Sequence, residues 1–129
     1  SPIIVAVTNP TVRNKLSKLN AAIMNGTNEP FYGAPVVLVV LADKERGTYL
    51  YDGSLVMGNM MLAAHDLGLG SCWIHRAKEV FESEEGKALL KEWGIEGDYE
   101  GIGNCIIGYP DGKEPVAKPR KSDYVYYID

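Results

Sequence analysis

Few side chains in this sequence carry the chemistry of a protein-based catalyst. It holds two histidines, His65 and His75, and two cysteines, Cys72 and Cys105. Neither histidine belongs to an HExxH array or a similar ligand spacing, so no metal centre is expected. Cys72 or Cys105 paired with His75 would make a nucleophile, but no surrounding pattern supports that pairing. Two lone cysteines in apolar company, without CxxC spacing, read as reduced core residues and place the chain in the cytoplasm. No Walker loop is present, and Gly68-Leu69-Gly70 is too short for a dinucleotide fingerprint. No residue is marked as a general acid or base. Two groups remain. One is Trp73-Ile74-His75-Arg76, whose first two members read as core by residue type alone. The other is a basic tail with Lys118, Arg120 and Lys121, and the ordinary fate of such a run is solvation.

The elements that must position these groups follow from pattern. Ile3 to Val7 is an apolar run that reads as a buried strand. Asn9-Pro10 supplies an N-cap and a first-turn proline, and Val12, Leu16, Leu19 and Ile23 recur at helical spacing, which predicts a helix over residues 10–24. Asn25-Gly26 stops it. After a polar loop ending in Phe31-Tyr32-Gly33-Ala34, Val36 to Ala42 is continuously apolar, the mark of a central strand covered on both faces. Phe31 and Tyr32 read as loop aromatics packed on their own domain, with a place at a pocket mouth as the alternative.

Asp52 is expected to cap a helix to about Leu67. It is apolar around most of its circumference and therefore buried by other elements or by a second subunit. Gly68 ends it, and residues 69–74 read as a short strand. Ser83 caps a further helix with Glu84 and Glu85 in its first turn, where the helix dipole favours acids. Residues 101–109 read as another core strand, and Tyr124 to Ile128 would add a last one. The order β, α, β, α, β, α, β, tail predicts a layered α/β or α+β domain.

The chain's 129 residues suffice for one domain, taken as residues 1–129. Apolar residues make up 46% and charged residues 23%, and the net charge of −4 argues against a general affinity for nucleic acid or acidic membrane. No apolar run approaches the roughly 20 residues that cross a bilayer. The chain opens Ser1-Pro2 and passes at once into a strand, so it reads as an N-terminally incomplete domain.

The words along the chain are more specific than its composition. Gly33-Ala34-Pro35-Val36-Val37 precedes the second strand. The long helix leads into Leu67-Gly68-Leu69-Gly70-Ser71-Cys72-Trp73-Ile74, and Ile107-Gly108-Tyr109-Pro110 is followed by Lys118-Pro119-Arg120-Lys121. In order and spacing this series resembles the FMN-dependent nitroreductase family over nearly the whole chain.

The resemblance implies an α+β fold: a central, mainly antiparallel sheet flanked by helices, and a C-terminal extension reaching the partner subunit of a homodimer. FMN would sit at the dimer interface, with Trp73, Ile74, His75 and Arg76 passing along its isoalloxazine and offering backbone groups near the reactive edge. Many relatives carry glycines where His75 and Arg76 stand. Lys118, Arg120 and Lys121 fall where the family places cations on the FMN phosphate, and arginine's planar fork suits that role. The implied reaction moves a hydride from NAD(P)H to FMN and then to a nitroaromatic or quinone-type acceptor, the cofactor carrying the hard chemistry. A non-catalytic flavin-binding or interaction protein on the same fold is the alternative, and a specialised flavin chemistry such as dehalogenation is a third. The family's N-terminal arginine-rich helix is not in this sequence, and Ser1-Pro2 reads as the remnant of a polar segment that commonly reaches the flavin.

Overall fold

The computed structural model describes residues 2–129, and Ser1 lies outside the described residues. The elements are β1 (Pro2–Val7), α1 (Pro10–Ile23), β2 (Val36–Asp43), α2 (Tyr49–Asp66), β3 (Gly70–Ile74), α3 (Ala77–Glu82), α4 (Glu84–Glu92) and β4 (Tyr99–Gly108). The strands form one sheet in the order β1-β2-β4-β3, every neighbouring pair antiparallel. The expected α+β architecture with an antiparallel sheet between helices is what the chain adopts.

β2 is central, and its unbroken apolar run has the reason the pattern suggested. Val37, Val39 and Leu41 face the layer of α1, α3 and α4, together with Ile74 and Ile106. Val40 and Ala42 face α2 with Met57, Ile102 and Cys105. Fully burying side chains such as Phe31, Leu41 and Met57 stabilises the fold by roughly 1.5–3 kcal/mol each. The register jumps from Val40↔Gly103 to Leu41↔Gly101, which leaves Ile102 as the extra residue of a β-bulge. Ile102 fills the space where a Cβ on Gly53 would stand, at 2.6 Å from such an atom, and so seats the start of α2.

Several boundaries differ from expectation. α2 starts at Tyr49: the Asp52 N–H donates to the Thr48 carbonyl at 2.9 Å, which places that acid inside the first turn rather than at the cap, and the Thr48 hydroxyl donates to its carboxylate at 2.8 Å. α3 was not anticipated, since six residues are too few to display a period. Asn9 and Ser83 do cap α1 and α4, accepting from backbone N–H groups of the first turns. The buried face of α1 holds Arg13, Leu16, Ser17, Asn20 and Ala21, with Val12 and Leu19 packed at its border; of the expected apolar stripe only Ile23, in the last turn, is exposed.

Residues 124–128 form no strand, and their side chains are exposed along with the rest of the tail. A strand needs an edge to pair with, and in one chain the tail meets none. The cysteines divide. Cys105 is buried and burial pushes its thiol up, whereas Cys72 is exposed on the edge strand β3, against the expectation that both lie in the core. Both are free thiols.

Candidate functional site

β3 is an edge strand, paired only with β4, and its last residue Ile74 lies opposite Asn104. Trp73 lies opposite Cys105 and turns its indole onto the α2 face. The indole occupies the space over Gly103, where an added Cβ would stand 2.7 Å from Nε1 and 3.1 Å from Met57 Cε. Only glycine allows that approach. Trp73 Nε1 is buried without an acceptor among the described residues. Ile74 alternates to the other face and is core, so these two side chains anchor the segment from opposite faces of the sheet.

His75 is exposed and Arg76 half-buried. Arg76 has φ +73° and ψ 13°, a left-handed conformation that costs a side-chain-bearing residue roughly 1–2 kcal/mol. That geometry explains why glycine is the residue the resemblance leads one to expect there: without a Cβ it adopts this φ freely. Here the strain is offset by a contact, Arg76 Nε donating to Asn20 Oδ1 at 3.0 Å.

Asn20 is fully buried, and its other end donates, from Nδ2, to the carbonyl of His75 at 2.8 Å. Asn104, also buried, donates to the carbonyl of Ile74 at 3.4 Å. Residues 74–76 are therefore held from α1 and from β4 at once. Sequence reading missed both asparagines. The signal for Asn20 was a polar residue four positions after Leu16, in register with the inward face.

Just beyond, α3 presses on β4. A Cβ on Gly101 would lie 2.3 Å from the carbonyl oxygen of Ala77, so backbone meets backbone there.

The loop before β2 is built around Glu29. Arg13 donates to its carboxylate at 2.9 Å and to the carbonyl of Ala34 at 2.8 Å, and the Ser17 hydroxyl donates at 2.5 Å. The backbone N–H groups of Phe31 and Gly33 complete the set. Burial alone would raise the Glu29 carboxyl, but the bonds from Arg13, Ser17, Gly33 and Phe31 outweigh it and hold the pKa at about 2. The aromatic pair splits: Phe31 is fully buried beneath the Arg13 guanidinium, while Tyr32 is 81% exposed. Tyr32 lines a cleft of about 410 Å³ with Gly33, Ser71, Cys72 and Tyr109. A second cleft of about 450 Å³ lies between His65, Gly68 and residues 110–115. Both stand where β3 begins and β4 ends, whereas Trp73 and Ile74 lie farther along β3, opposite Cys105 and Asn104 in the middle of β4.

The tail leaves β4 from the cleft end. Lys118, Arg120 and Lys121 are exposed, and the one hydrogen bond among them is Arg120 Nη1 to the Lys118 carbonyl at 3.2 Å. Among the described residues, no hydrogen bond or ion pair joins these cations to residues 73–76. One chain thus presents the two predicted halves of a site separately. Among the described residues, no three His, Cys, Asp or Glu side chains come together as a metal site, and no helix is long and apolar enough to cross a membrane.

α2 covers the sheet with one side only. Tyr51, Leu55 and Leu62 on its other side are 72%, 67% and 71% exposed, three large apolar side chains that this chain leaves uncovered.

Comparison with known proteins agrees with this architecture. The model of the nitroreductase family matches residues 4–109. A nitroreductase with bound FMN from Bacteroides fragilis superposes with a TM-score of 0.87 at 22% identity, over 99% of this chain and 76% of that one. An FMN-dependent nitroreductase from Clostridium difficile gives 0.74 at 25% identity, covering 99% and 75%. Iodotyrosine deiodinase bound to FMN and 3-iodo-L-tyrosine gives 0.67 at 20% identity, covering 99% and 76%. The search of curated proteins gives no match.

Proposed function

The chain belongs to the nitroreductase family, and from that premise we propose that it is an FMN-dependent oxidoreductase acting as a homodimer. The proposed reaction takes a hydride from NAD(P)H and delivers it to a nitroaromatic or quinone-type acceptor. The observation that carries this reading is the held segment at residues 74–76, at the open edge of the sheet, in a chain whose family match spans it.

The residues present fit the cofactor. FMN has a planar ring with hydrogen-bonding edges and a phosphate. Trp73, Ile74, His75 and Arg76 offer a fixed backbone edge for the ring, and Lys118, Arg120 and Lys121 offer cations for the phosphate. When bound, FMN supplies two-electron carriage between NAD(P)H and the acceptor, chemistry that no side chain here provides. The chain's own part is to bind, to orient and to exclude water.

The homodimer reading rests on Tyr51, Leu55 and Leu62 and on a tail without a docking place on its own chain. A partner covering α2 and receiving the tail would bury both and build the pocket that a single chain leaves open. The two core clusters share one sheet, which supports a single domain over residues 1–129. Two free thiols fit a reducing compartment, and we place the protein in the cytoplasm.

His75 and Arg76, standing where the resemblance implies glycine in many relatives, favour a second reading, a flavin-binding protein without turnover. One experiment separates the two. The purified protein is titrated with FMN, and NADH or NADPH is added with a nitroaromatic, a quinone or a haloaromatic. Flavin uptake and acceptor-dependent NAD(P)H oxidation are expected. Uptake without reduction would favour the second reading, and no uptake would overturn both.

A further inference from the structure

We propose that Asn20 and Asn104 are positioning residues that turn two consecutive peptide groups of the flavin-contacting segment, an inference whose functional meaning rests on the FMN reading above. In a trans peptide the carbonyl and the following N–H point in opposite directions. No cis bond occurs among the described residues. Asn104 draws the carbonyl of Ile74 toward β4, so the N–H of His75 is turned away from β4. Asn20 draws the carbonyl of His75 toward α1, so the N–H of Arg76 is turned away from the α1 layer. Two successive donors are thereby turned away from β4 and from the α1 layer at the end of β3, before any ligand arrives.

Asn20 suits this task better than a hydroxyl or a carboxylate. Its amide has a donor and an acceptor on one rigid plane. The donor holds the His75 carbonyl and the acceptor holds Arg76 Nε, so one side chain sets both the peptide and the left-handed residue after it. A fully buried amide is kept at a desolvation cost, which its two bonds here offset. In a site where such donors meet an electron-rich ring edge, preset directions count because no reorganisation is then required on binding.

The test compares Asn20→Leu with Leu16→Ala, a core truncation on the same helix that touches neither carbonyl. Three quantities are read: thermal stability without flavin, the Kd for FMN by fluorescence titration, and amide hydrogen exchange of His75 and Arg76 in flavin-free protein. Both variants are expected to melt lower. Asn20→Leu should weaken FMN binding by roughly tenfold, the loss that one or two hydrogen bonds carry, while Leu16→Ala stays within about twofold. The Arg76 amide should shift and change its exchange rate in Asn20→Leu alone. If Asn20→Leu does not fold, Asn20→Asp replaces it, keeping an acceptor for Arg76 while removing the donor to His75, with the same amide change expected. An unchanged Arg76 amide, or equal loss of FMN affinity in the Leu16→Ala control, would overturn the positioning role. If wild-type protein takes up no FMN, the flavin reading fails, and the amide measurement still decides the positioning.

Discussion

Replacing Arg76 by alanine and by glycine separates two opposed contributions at the end of β3. Both substitutions remove the guanidinium from Asn20 and leave Oδ1 of a fully buried amide without that partner. Orphaning a buried acceptor costs about 1–3 kcal/mol. Alanine keeps the strain of φ +73°, whereas glycine releases roughly 1–2 kcal/mol of it. Part of that release is offset because glycine widens the unfolded ensemble, by about 0.4–1 kcal/mol. Glycine should therefore be more stable than alanine by about 1 kcal/mol, and less stable than or close to wild type. For a domain of this size that corresponds to roughly 4 °C in melting temperature. Thermal denaturation of the three proteins, followed by circular dichroism in one buffer, reads the order directly. An alanine variant as stable as the glycine variant would refute the claim that backbone strain at this position is met by the Asn20 contact.

Two further outcomes are expected. Glu29 has its folded pKa lowered from 4.5 to about 2, so its stabilising effect is complete above pH 4.5 and is lost as pH falls through about 2. With 44% of the side chain exposed, solvent screening reduces this to about 1 kcal/mol. Between pH 4.5 and 2 the wild-type melting temperature should fall more steeply than that of Glu29→Gln, and parallel slopes would sink the idea. On α2, Leu55→Glu or Leu62→Glu would bury an unpaired charge in a partner interface. Sedimentation should show monomers for either variant where wild type is dimeric, and an undisturbed dimer would place the interface elsewhere.

Much of the fold was legible because it rests on local rules. The caps Asn9 and Ser83, the stop at Gly68 and the run of β2 are each decided within a few residues by hydrogen bonding and burial. α3 was hidden by its length, and the tail strand was misread because pairing is a property of two chains of backbone, not of one. The candidate site was legible only in part. Residues 73–76 and the tail cations were proposed from the order of words along the chain, and what holds residues 74–76 lies 30 to 56 positions away. No periodicity reports such a contact.

The amino-acid sequence by itself determined the family and the run of most elements, because propensity, capping and apolar pattern act over a turn or a strand. It also determined which residue types stand at the end of β3. Tertiary structure decided what those residues do. It put Trp73 over Gly103, turned Arg76 into a left-handed conformation and brought Asn20 from α1 to hold it. It left one side of α2 bare. The reason is physical: the direction of a peptide group and the exposure of a helix face are fixed by neighbours across space, and only the folded chain supplies them.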